Sequence, residues 1–342
     1  MNTVMKLPAA RRRPVTLSDE ELVTTEPLNE EGDLPLVVRP AVSGVDLVGW
    51  AERNRELIEA RLVRHGALLF SGFGLRTSDE FGRFVKAVCG ELMEYRERSS
   101  PRTQVGDQIY TSTDYPDDQS IFPHNEHSYS RTFPLKLFFC CEVASLTGGQ
   151  TPLVDTRKIF ARLGERVRAR FLEKKWMLVR NYGNGFGLPW ETVFQTSDRA
   201  AVEDYCRRAS IEIEWKADGG LRTRQVRPAV IEHPRTGELA WFNHATFFHV
   251  TTLEPAMRET LLSEFREEDL PTNSYYGDGS PIEASVLDEL RGAYLQERVV
   301  FPWEAGSVVL LDNVLTSHSR TPYSGPRRIL FAMADTFTRT DF

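Results

Sequence analysis

Cysteine is scarce in this chain of 342 residues. There are four, Cys89, Cys140, Cys141 and Cys206, and no two of them form a C-x-x-C pair or a spacing typical of zinc sites. Cys140 and Cys141 lie inside the apolar run 137–141, where buried and inert thiols are the usual outcome. We therefore expect reduced cysteines with a packing role, as in proteins of a reducing compartment.

Long apolar runs and an excess of positive charge are also missing. No run approaches the roughly 18 residues that span a membrane, and the basic N-terminal residues have no apolar block behind them, unlike a secretory signal. The net charge of −7 argues against a general nucleic-acid binder. We expect a cytoplasmic protein that acts on a small molecule, without nucleic-acid or membrane partners. The sequence leaves the oligomeric state open, a homo-oligomer included.

Helical patterns dominate the first part of the chain and short strands dominate the rest. Residues 44–64 and 78–88 predict two helices, and the run 67–73 between them predicts a strand. From Ile109 onward, short apolar runs recur between turn signals. This order predicts a mainly β protein with flanking helices, of the α+β class. Many short strands of this kind fit a double-stranded β-helix, or jelly-roll, core.

The sequence has no internal repeat and no composition break that would mark a domain boundary. Residues 1–34 are rich in Arg, Glu, Thr and Pro and predict a flexible N-terminal arm. We expect residues 35–342 to form one domain. Helical patterns within 156–218 predict a helical insert that lies outside the sandwich and covers its mouth as a lid.

His124 and Glu126 carry the strongest chemical signal. On an extended segment, side chains two residues apart face the same side, so both could bind one face of a metal ion. His318 follows the apolar run 308–311 and would add a second imidazole from a distant strand. Two histidines and a carboxylate with an open opposite face suit a non-haem Fe(II) centre.

Two alternatives stay open, one for a ligand of the metal and one for the metal itself. His127 is adjacent to Glu126, but the period of two points it away from the shared face, so we expect it to orient its neighbours or to have no role. Zinc hydrolases also use two histidines and a carboxylate. The H-E-x-x-H signature of zinc peptidases is absent, and the extended spacing favours the iron centre.

Arg327 and Arg328 open the last apolar strand pattern. An arginine that enters such a strand is costly to bury unless a carboxylate pairs with it, and a dicarboxylate co-substrate would offer that partner. Because neighbouring strand residues face opposite ways, only one of the two can serve. We assign this role to Arg328.

These residues together resemble the TauD/TfdA group of Fe(II)- and 2-oxoglutarate-dependent oxygenases. The motifs are His124-x-Glu126, the turn 148–152, and His318 followed by Arg327-Arg328. Within this group, they resemble in particular the branch around the syringomycin-biosynthesis hydroxylase SyrP. Four further segments carry this likeness: 123–129, 179–185, 222–228 and 241–243.

The resemblance implies roles for five residues. His124, Glu126 and His318 would hold Fe(II), while Thr151 and Arg328 would bind the distal carboxylate of 2-oxoglutarate, with O₂ as the oxidant. The taurine enzyme has Asp where this chain has Glu126, which argues against taurine as the substrate. Halogenases of this superfamily replace the carboxylate with a small residue, so halogenation is disfavoured here.

The substrate is less sharply defined by the sequence. The SyrP-like resemblance implies hydroxylation of an unactivated C–H bond of an amino acid or aminoacyl group, free or tethered to a carrier protein, in secondary metabolism. Another small acid, such as a sulfonate or aryloxyacid, and a catalytically silent binding protein are the alternatives. Four residues are weaker candidates for substrate contact. Asn181 and Tyr182 lie in a glycine-rich run, Arg224 lies in a basic strand, and Asn243 follows an apolar strand.

Overall fold

The structure is a computed structural model that describes residues 18–30, 32–94, 102–183 and 185–340, and the statements below concern these residues. Strands dominate it. They are β1 (Val23–Asn29), β2 (Gly32–Pro40), β3 (Ala67–Phe70), β4 (Gln104–Gly106), β5 (Ile109–Thr111), β6 (Ile121–His124), β7 (Thr132–Val143), β8 (Thr147–Gly148), β9 (Leu153–Asp155), β10 (Trp176–Tyr182), β11 (Ile211–Trp215), β12 (Leu221–Arg227), β13 (Val230–Glu232), β14 (Leu239–Trp241), β15 (Thr272–Tyr276), β16 (Val308–Asp312), β17 (Thr316–Arg320), β18 (Tyr323–Ser324) and β19 (Arg328–Thr338).

The helices flank these strands at the start of the chain and within the later connections. They are α1 (Leu47–Arg53), α2 (Arg55–His65), α3 (Ser78–Val88), α4 (Thr156–Arg162), α5 (Glu165–Lys174), α6 (Trp190–Phe194), α7 (Arg199–Arg208), α8 (Pro255–Glu264) and α9 (Ala284–Gln296). Short 3-10 turns lie at Asp19–Leu22, Val250–Thr252 and Glu267–Asp269. The predicted class, mainly β with flanking helices, is confirmed. None of the described helices has both the length and the apolar character needed to cross a membrane.

The largest sheet has eight strands in the order β1-β2-β3-β16-β7-β19-β5-β4. Side chains alternate between its two faces, because strand residues have a period of two. Along β7, Phe138 and Cys140 pack with α1, α2 and α3 on one face. Leu137 and Phe139 pack on the other face. Both faces of the central strands are therefore buried.

The second face of this sheet lies next to a small three-stranded sheet in the order β6-β17-β9. β17 follows β16 after a short turn, so the two sheets are joined directly by the chain. A separate four-stranded sheet has the order β11-β12-β10-β15. The small sheet carries the candidate ligands, because β6 ends at His124 and His318 lies in the middle of β17.

The predicted helices are partly confirmed. The pattern over 44–64 forms two helices, α1 and α2, which separate at Asn54, where ψ is 27°. The helix predicted over 78–88 is confirmed at both ends, and Thr77 forms a capping box with Glu80 at its start. All four cysteines are free and buried, as expected.

The predicted boundary of the N-terminal arm is wrong. Residues 1–17 lie outside the described residues, but the chain from Val23 onward already belongs to the main sheet. β1 pairs with β2, and β2 pairs in parallel with β3. β1 is an edge strand with mostly exposed polar side chains, so it lacks the apolar alternation that would have marked it as a strand.

The predicted insert over 156–218 is mixed rather than helical. It contains α4, α5, α6 and α7, and also β10 and β11, which belong to the four-stranded sheet. Val202 and Cys206 of α7 pack in a small apolar cluster with Tyr182 and Trp190. The insert therefore has an apolar cluster of its own.

Candidate metal centre

Two histidines lie opposite each other on neighbouring strands. β6 and β17 pair antiparallel, and their register places His124 against His318. The two imidazole centroids are 4.3 Å apart. Residues that are directly opposite in an antiparallel pair project to the same face of the sheet. Strand pairing thus brings together two histidines that are far apart in the sequence.

Glu126 completes a group of three side chains. One ligand atom from each of His124, Glu126 and His318 lies within 4.8 Å of the other two. The exposed fractions of Glu126 and His318 are 3% and 5%. The three residues chosen from the sequence are therefore close enough together to bind one ion.

The route by which Glu126 reaches the histidines differs from the prediction. β6 ends at His124 and residues 126–129 form a turn, so no extended segment carries the His-x-Glu motif. Asn313, which is fully buried, holds this turn. Its Oδ1 accepts a hydrogen bond from the Glu126 backbone N–H at 2.8 Å, and its Nδ2 donates to the Glu126 carbonyl at 2.9 Å. Asn313 thus links the carboxylate ligand to the turn before β17.

The imidazole of His124 is oriented by its own strand. Its Nδ1 lies 2.8 Å from the carbonyl oxygen of Phe122, so Nδ1 carries the proton and donates it. This leaves the Nε2 lone pair available to a metal, the arrangement that metal-binding histidines usually have. Burial lowers the pKa of His124, although Glu126 opposes this shift. The neutral form that binds metals is therefore favoured.

Arg102 was not singled out from the sequence, yet it pairs with a candidate ligand. Its Nη2 donates to Glu126 Oε2 at 2.9 Å, and both side chains are 3% exposed. Burial alone would raise the pKa of Glu126, but Arg102, followed by His127 and His124, holds this pKa below its usual range. Glu126 is therefore ionised at neutral pH, as a metal ligand requires.

The donor set fits a divalent non-haem metal. Two neutral imidazoles and one ionised carboxylate match the set that Fe(II) oxygenases use. Burial, with smaller contributions from His124 and Arg102, lowers the pKa of His318 well below its usual value. The Nδ1 atom of His318 is buried and has no hydrogen-bond partner among the described residues. A buried nitrogen without a partner is costly unless a bound group compensates for it.

A cavity next to the two histidines is lined by a positively charged side chain and by a hydroxyl group. Arg327 and Thr151 both line it. Thr151 Oγ1 accepts a hydrogen bond from Trp303 Nε1 at 3.0 Å, so its own proton is available to an anion. Arg327 Nε donates to the Gly149 carbonyl at 3.0 Å, which fixes the guanidinium. Burial and Arg320 lower the pKa of Arg327 to about 10, so it remains charged at neutral pH.

The choice of Arg328 for this cavity is wrong. The Arg328 side chain is 49% exposed and its Nε lies 2.7 Å from Glu142 Oε2 on the outside of the sheet. The register of β19 against β7 shifts between Arg328 and Ile329. Ile329 and Phe331 face the site, as Arg327 does, whereas Leu330 belongs to the opposite face. Arg327 is therefore the arginine that the structure places at the predicted position.

Asn181 and Tyr182 are placed away from the cavity that the two histidines line. Asn181 Nδ2 donates to the carbonyls of Glu268 and Leu270, and its Oδ1 accepts from Arg222. Tyr182 packs in the apolar cluster of the insert. Both side chains stabilise the four-stranded sheet and its connections, so the prediction that they contact substrate is not supported.

Arg224 and Asn243 are also committed to other contacts. Arg224 forms ion pairs with Glu212 and Glu214 of the neighbouring strand β11. Asn243 is buried, donates to the Ala229 carbonyl at 2.9 Å and accepts from the Ala245 backbone N–H. The positive charge of Arg224 suggested contact with a substrate, but this charge is already paired with the carboxylates of Glu212 and Glu214.

His127 lies closer to the ligands than the period of two predicts. Its backbone is in the left-handed region, with φ of 58°, because the chain turns directly after Glu126. The turn brings His127 Nε2 to 3.7 Å from Glu126 Oε1. The expectation that it points away is wrong, while its expected role in orienting a neighbour stays a prediction.

Two residues of the site, Asn313 and Arg102, carry little signal in the sequence. Asn313 follows the apolar run 308–311 in a short polar segment whose composition is typical of an ordinary turn. Arg102 lies in a polar stretch without periodicity, so nothing marks its side chain as buried. An arginine can be assigned to a buried site from sequence only if its carboxylate partner is recognised as well.

Replacing Asn313 by alanine is expected to weaken both folding and metal binding. The side-chain amide makes three hydrogen bonds, with the Glu126 backbone N–H and with the carbonyls of Glu126 and Pro134, and the loss of such buried bonds should cost about 3 kcal/mol of unfolding free energy. Because the Glu126 turn loses its anchor, Mn(II) affinity should also fall by roughly 10- to 100-fold. Calorimetry and metal titration measure the two effects.

Asn273→Ala provides the matched control. Asn273 is equally buried and bonds to the Val250 backbone, Glu267 and Tyr275, away from the three ligands. This variant should lose stability and keep its Mn(II) affinity. An equal loss of metal affinity in both variants would show that the effect is general destabilisation.

Comparison with known proteins supports the chemistry of this site. The profile of the family described as "Taurine catabolism dioxygenase TauD, TfdA family" matches residues 26–334. The dapdiamide synthesis protein DdaC of Enterobacter agglomerans is 36% identical over 309 residues, which cover 87% of this chain and 94% of DdaC. A clavaminate synthase-like protein of Arabidopsis thaliana is 27% identical, covering 89% of this chain and 94% of that protein.

Solved structures share the fold at low sequence identity. PvcB from Pseudomonas aeruginosa superposes with a TM-score of 0.55 at 17% identity, covering 94% of each chain. A second structure of PvcB, described as an Fe, alpha-ketoglutarate dependent oxygenase from an isonitrile synthetic pathway, has a TM-score of 0.53 at 16% identity. A taurine dioxygenase from Burkholderia xenovorans has a TM-score of 0.52.

Proposed function

This chain belongs to the TauD/TfdA family of Fe(II)- and 2-oxoglutarate-dependent dioxygenases, and we propose that it hydroxylates an unactivated C–H bond of an amino acid or aminoacyl group. One observation carries the proposal: His124, Glu126 and His318 converge beside a cavity that also contains Arg327 and Thr151. Family membership also decides between iron and zinc, which the ligand chemistry left open.

The proposed roles follow from the contacts of each side chain. His124 Nε2, a Glu126 oxygen and a nitrogen of His318 would hold Fe(II). Arg327 and the Thr151 hydroxyl would bind the distal carboxylate of 2-oxoglutarate, because a buried guanidinium pairs best with a carboxylate. Bound iron, with 2-oxoglutarate and O₂, supplies the oxidising power that converts C–H to C–OH and releases succinate and carbon dioxide.

The fold supports the proposal through the position of the ligands. We interpret the main sheet and the small sheet β6-β17-β9 as the two sides of a double-stranded β-helix, with the metal site between them. In this arrangement Phe139 of the main sheet lies 4.9 Å from the His318 ring, centroid to centroid. The apolar side chains of the main sheet exclude water from one side of the two histidines.

The substrate would lie on the side of Glu126 that faces the insert. A cavity of about 400 Å³ is lined by His127, which contacts Glu126, together with residues of the segment 130–132 and of α7. This volume is in the range of small-molecule sites. Arg131 and Tyr205 supply polar groups at its wall. The insert would then act as a lid over the substrate, as the sequence suggested.

The amino-acid assignment rests on the relatives. DdaC is described as a dapdiamide synthesis protein and is similar over nearly its whole length, which supports a role in the biosynthesis of an amino-acid-derived product. The substrate could reach the cavity free or attached to a carrier protein.

Succinate release tests this proposal. Protein supplied with Fe(II), ascorbate and 2-oxoglutarate should release succinate above background with at least one amino acid or aminoacyl carrier protein. Sulfonates and aryloxyacids form the comparison panel. Stimulation by these acids alone would overturn the amino-acid assignment while leaving the dioxygenase chemistry intact.

A further inference from the structure

Arg102 and Glu126 form a buried ion pair, whose formation carries a large desolvation penalty. Two charges are removed from water, and the attraction within a single ion pair does not always offset this loss of hydration free energy. Both side chains are 3% exposed, and the pair lies directly beside the two histidines. The pair is not needed to hold the chain together there, because Asn313 already anchors the Glu126 backbone through two hydrogen bonds.

The guanidinium of Arg102 packs against the main sheet. Its guanidinium carbon lies 3.8 Å from the centroid of the Phe331 ring, a cation–π contact. Phe331 is fully buried in β19 and packs against Phe139, with centroids 5.0 Å apart. The guanidinium is therefore held in a fixed position relative to the carboxylate.

The two carboxylate oxygens of Glu126 have different neighbours. Oε2 accepts from Arg102 at 2.9 Å, whereas Oε1 lies 3.7 Å from His127 Nε2. A carboxylate can bind a metal through one oxygen or through both. In the proposed centre the face opposite the three ligands must stay open for the co-substrate. A Glu126 that bound through both oxygens would occupy part of that face.

We propose that Arg102 is a positioning residue that acts through Glu126. Its hydrogen bond to Oε2 restricts the carboxylate to one metal-binding oxygen and keeps a coordination position open for 2-oxoglutarate. This inference rests on the proposed metal centre, and it concerns how co-substrate binding is secured rather than which residues hold the metal.

The proposal predicts a split between metal and co-substrate binding. Arg102→Met removes a positive charge from beside a divalent cation, so Mn(II) affinity should not fall. The freed carboxylate can then bind through both oxygens and compete with the co-substrate. Anaerobic titration of the Mn(II)-loaded protein should therefore show 2-oxoglutarate binding at least about tenfold weaker than in the wild type.

The electron paramagnetic resonance spectrum of bound Mn(II) supplies a second readout. It should change in Arg102→Met even without 2-oxoglutarate, because the ligation by Glu126 changes. An unchanged spectrum together with weaker 2-oxoglutarate binding would mean that Arg102 contacts the co-substrate directly, and would overturn the proposal. Arg102→Lys should be intermediate, since an ammonium can pair with Oε2 without the planar fork.

Two controls make the result decisive. Arg64→Met places the same substitution at an exposed position in the last turn of α2 and should leave both affinities unchanged. Thermal unfolding shows whether each variant is folded. Loss of Mn(II) and 2-oxoglutarate binding together in folded Arg102→Met, or no change in either, overturns the inference. Failure of the wild type to bind Mn(II) would instead overturn the proposed function.

Discussion

Replacement of His318 by alanine is expected to abolish metal binding. His318 is one of the three proposed ligands, and it lies opposite His124 in the β6–β17 register. No other described histidine, cysteine or carboxylate joins this group of ligand atoms. Since loss of an outer hydrogen-bond partner already costs about 10- to 100-fold in affinity, loss of a ligand should exceed that range. Mn(II) titration, with succinate release as a second readout, measures the effect.

His249→Ala is the control for this variant. His249 is also largely buried, and its Nδ1 bonds to Thr251 at the start of a 3-10 turn away from the ligands. This variant should bind Mn(II) like the wild type. His127→Ala should also retain metal binding, because His127 contacts Glu126 without belonging to the group of three. Loss of binding in His127→Ala together with retention in His318→Ala would show that the ligand set has been assigned wrongly.

The clustering of the three candidate ligands could be predicted because the choice depends on residue type more than on geometry. His124, Glu126 and His318 are chemically suited to one metal, and that holds whether Glu126 lies on a strand or in a turn. The predicted extended segment is wrong, since β6 ends at His124 and Glu126 lies in a turn. Asn313, rather than pairing within a strand, holds the backbone of Glu126 in place. The contact is long-range, and no local pattern encodes it.

The arginine could not be assigned because β19 is buried on both faces. A half-buried strand reveals its orientation through alternating polar and apolar residues. In β19 the residues from Ile329 to Ala334 are all buried, so the sequence shows no alternation there. The register shift after Arg328 adds a further irregularity at the strand start. The sequence therefore limits the cavity arginine to Arg327 or Arg328, and the strand pattern gives no support for the assignment of Arg328, which the structure contradicts.

The substrate candidates failed for a related reason. Asn181, Arg224 and Asn243 are polar residues near apolar strands, a pattern that fits a binding site and also fits internal hydrogen bonding. The structure shows that each is already paired with backbone or with carboxylates. Buried polar groups are usually satisfied within the protein. A polar residue therefore indicates a ligand site only when its local partners have been excluded.

The two arginines at the start of β19 should differ sharply in their effect on co-substrate binding. Arg327→Met removes the buried cation of the cavity, and an unpaired carboxylate there should cost about 2–5 kcal/mol. This corresponds to a loss of 2-oxoglutarate affinity of at least roughly 30-fold. Arg328→Met removes an exposed ion pair with Glu142, which is worth about 0–1 kcal/mol. Its 2-oxoglutarate affinity should match the wild type.

Anaerobic titration of the Mn(II)-loaded proteins with 2-oxoglutarate compares the two variants directly. They have the same substitution at adjacent positions, so each serves as the control of the other. Mn(II) affinity should be retained in both, because neither arginine contacts a ligand of the metal in the described residues. If Arg328→Met were the variant with weaker 2-oxoglutarate binding, the side chain of Arg328 would have to turn inward when the co-substrate binds. The assignment made from the sequence would then be correct for the bound state.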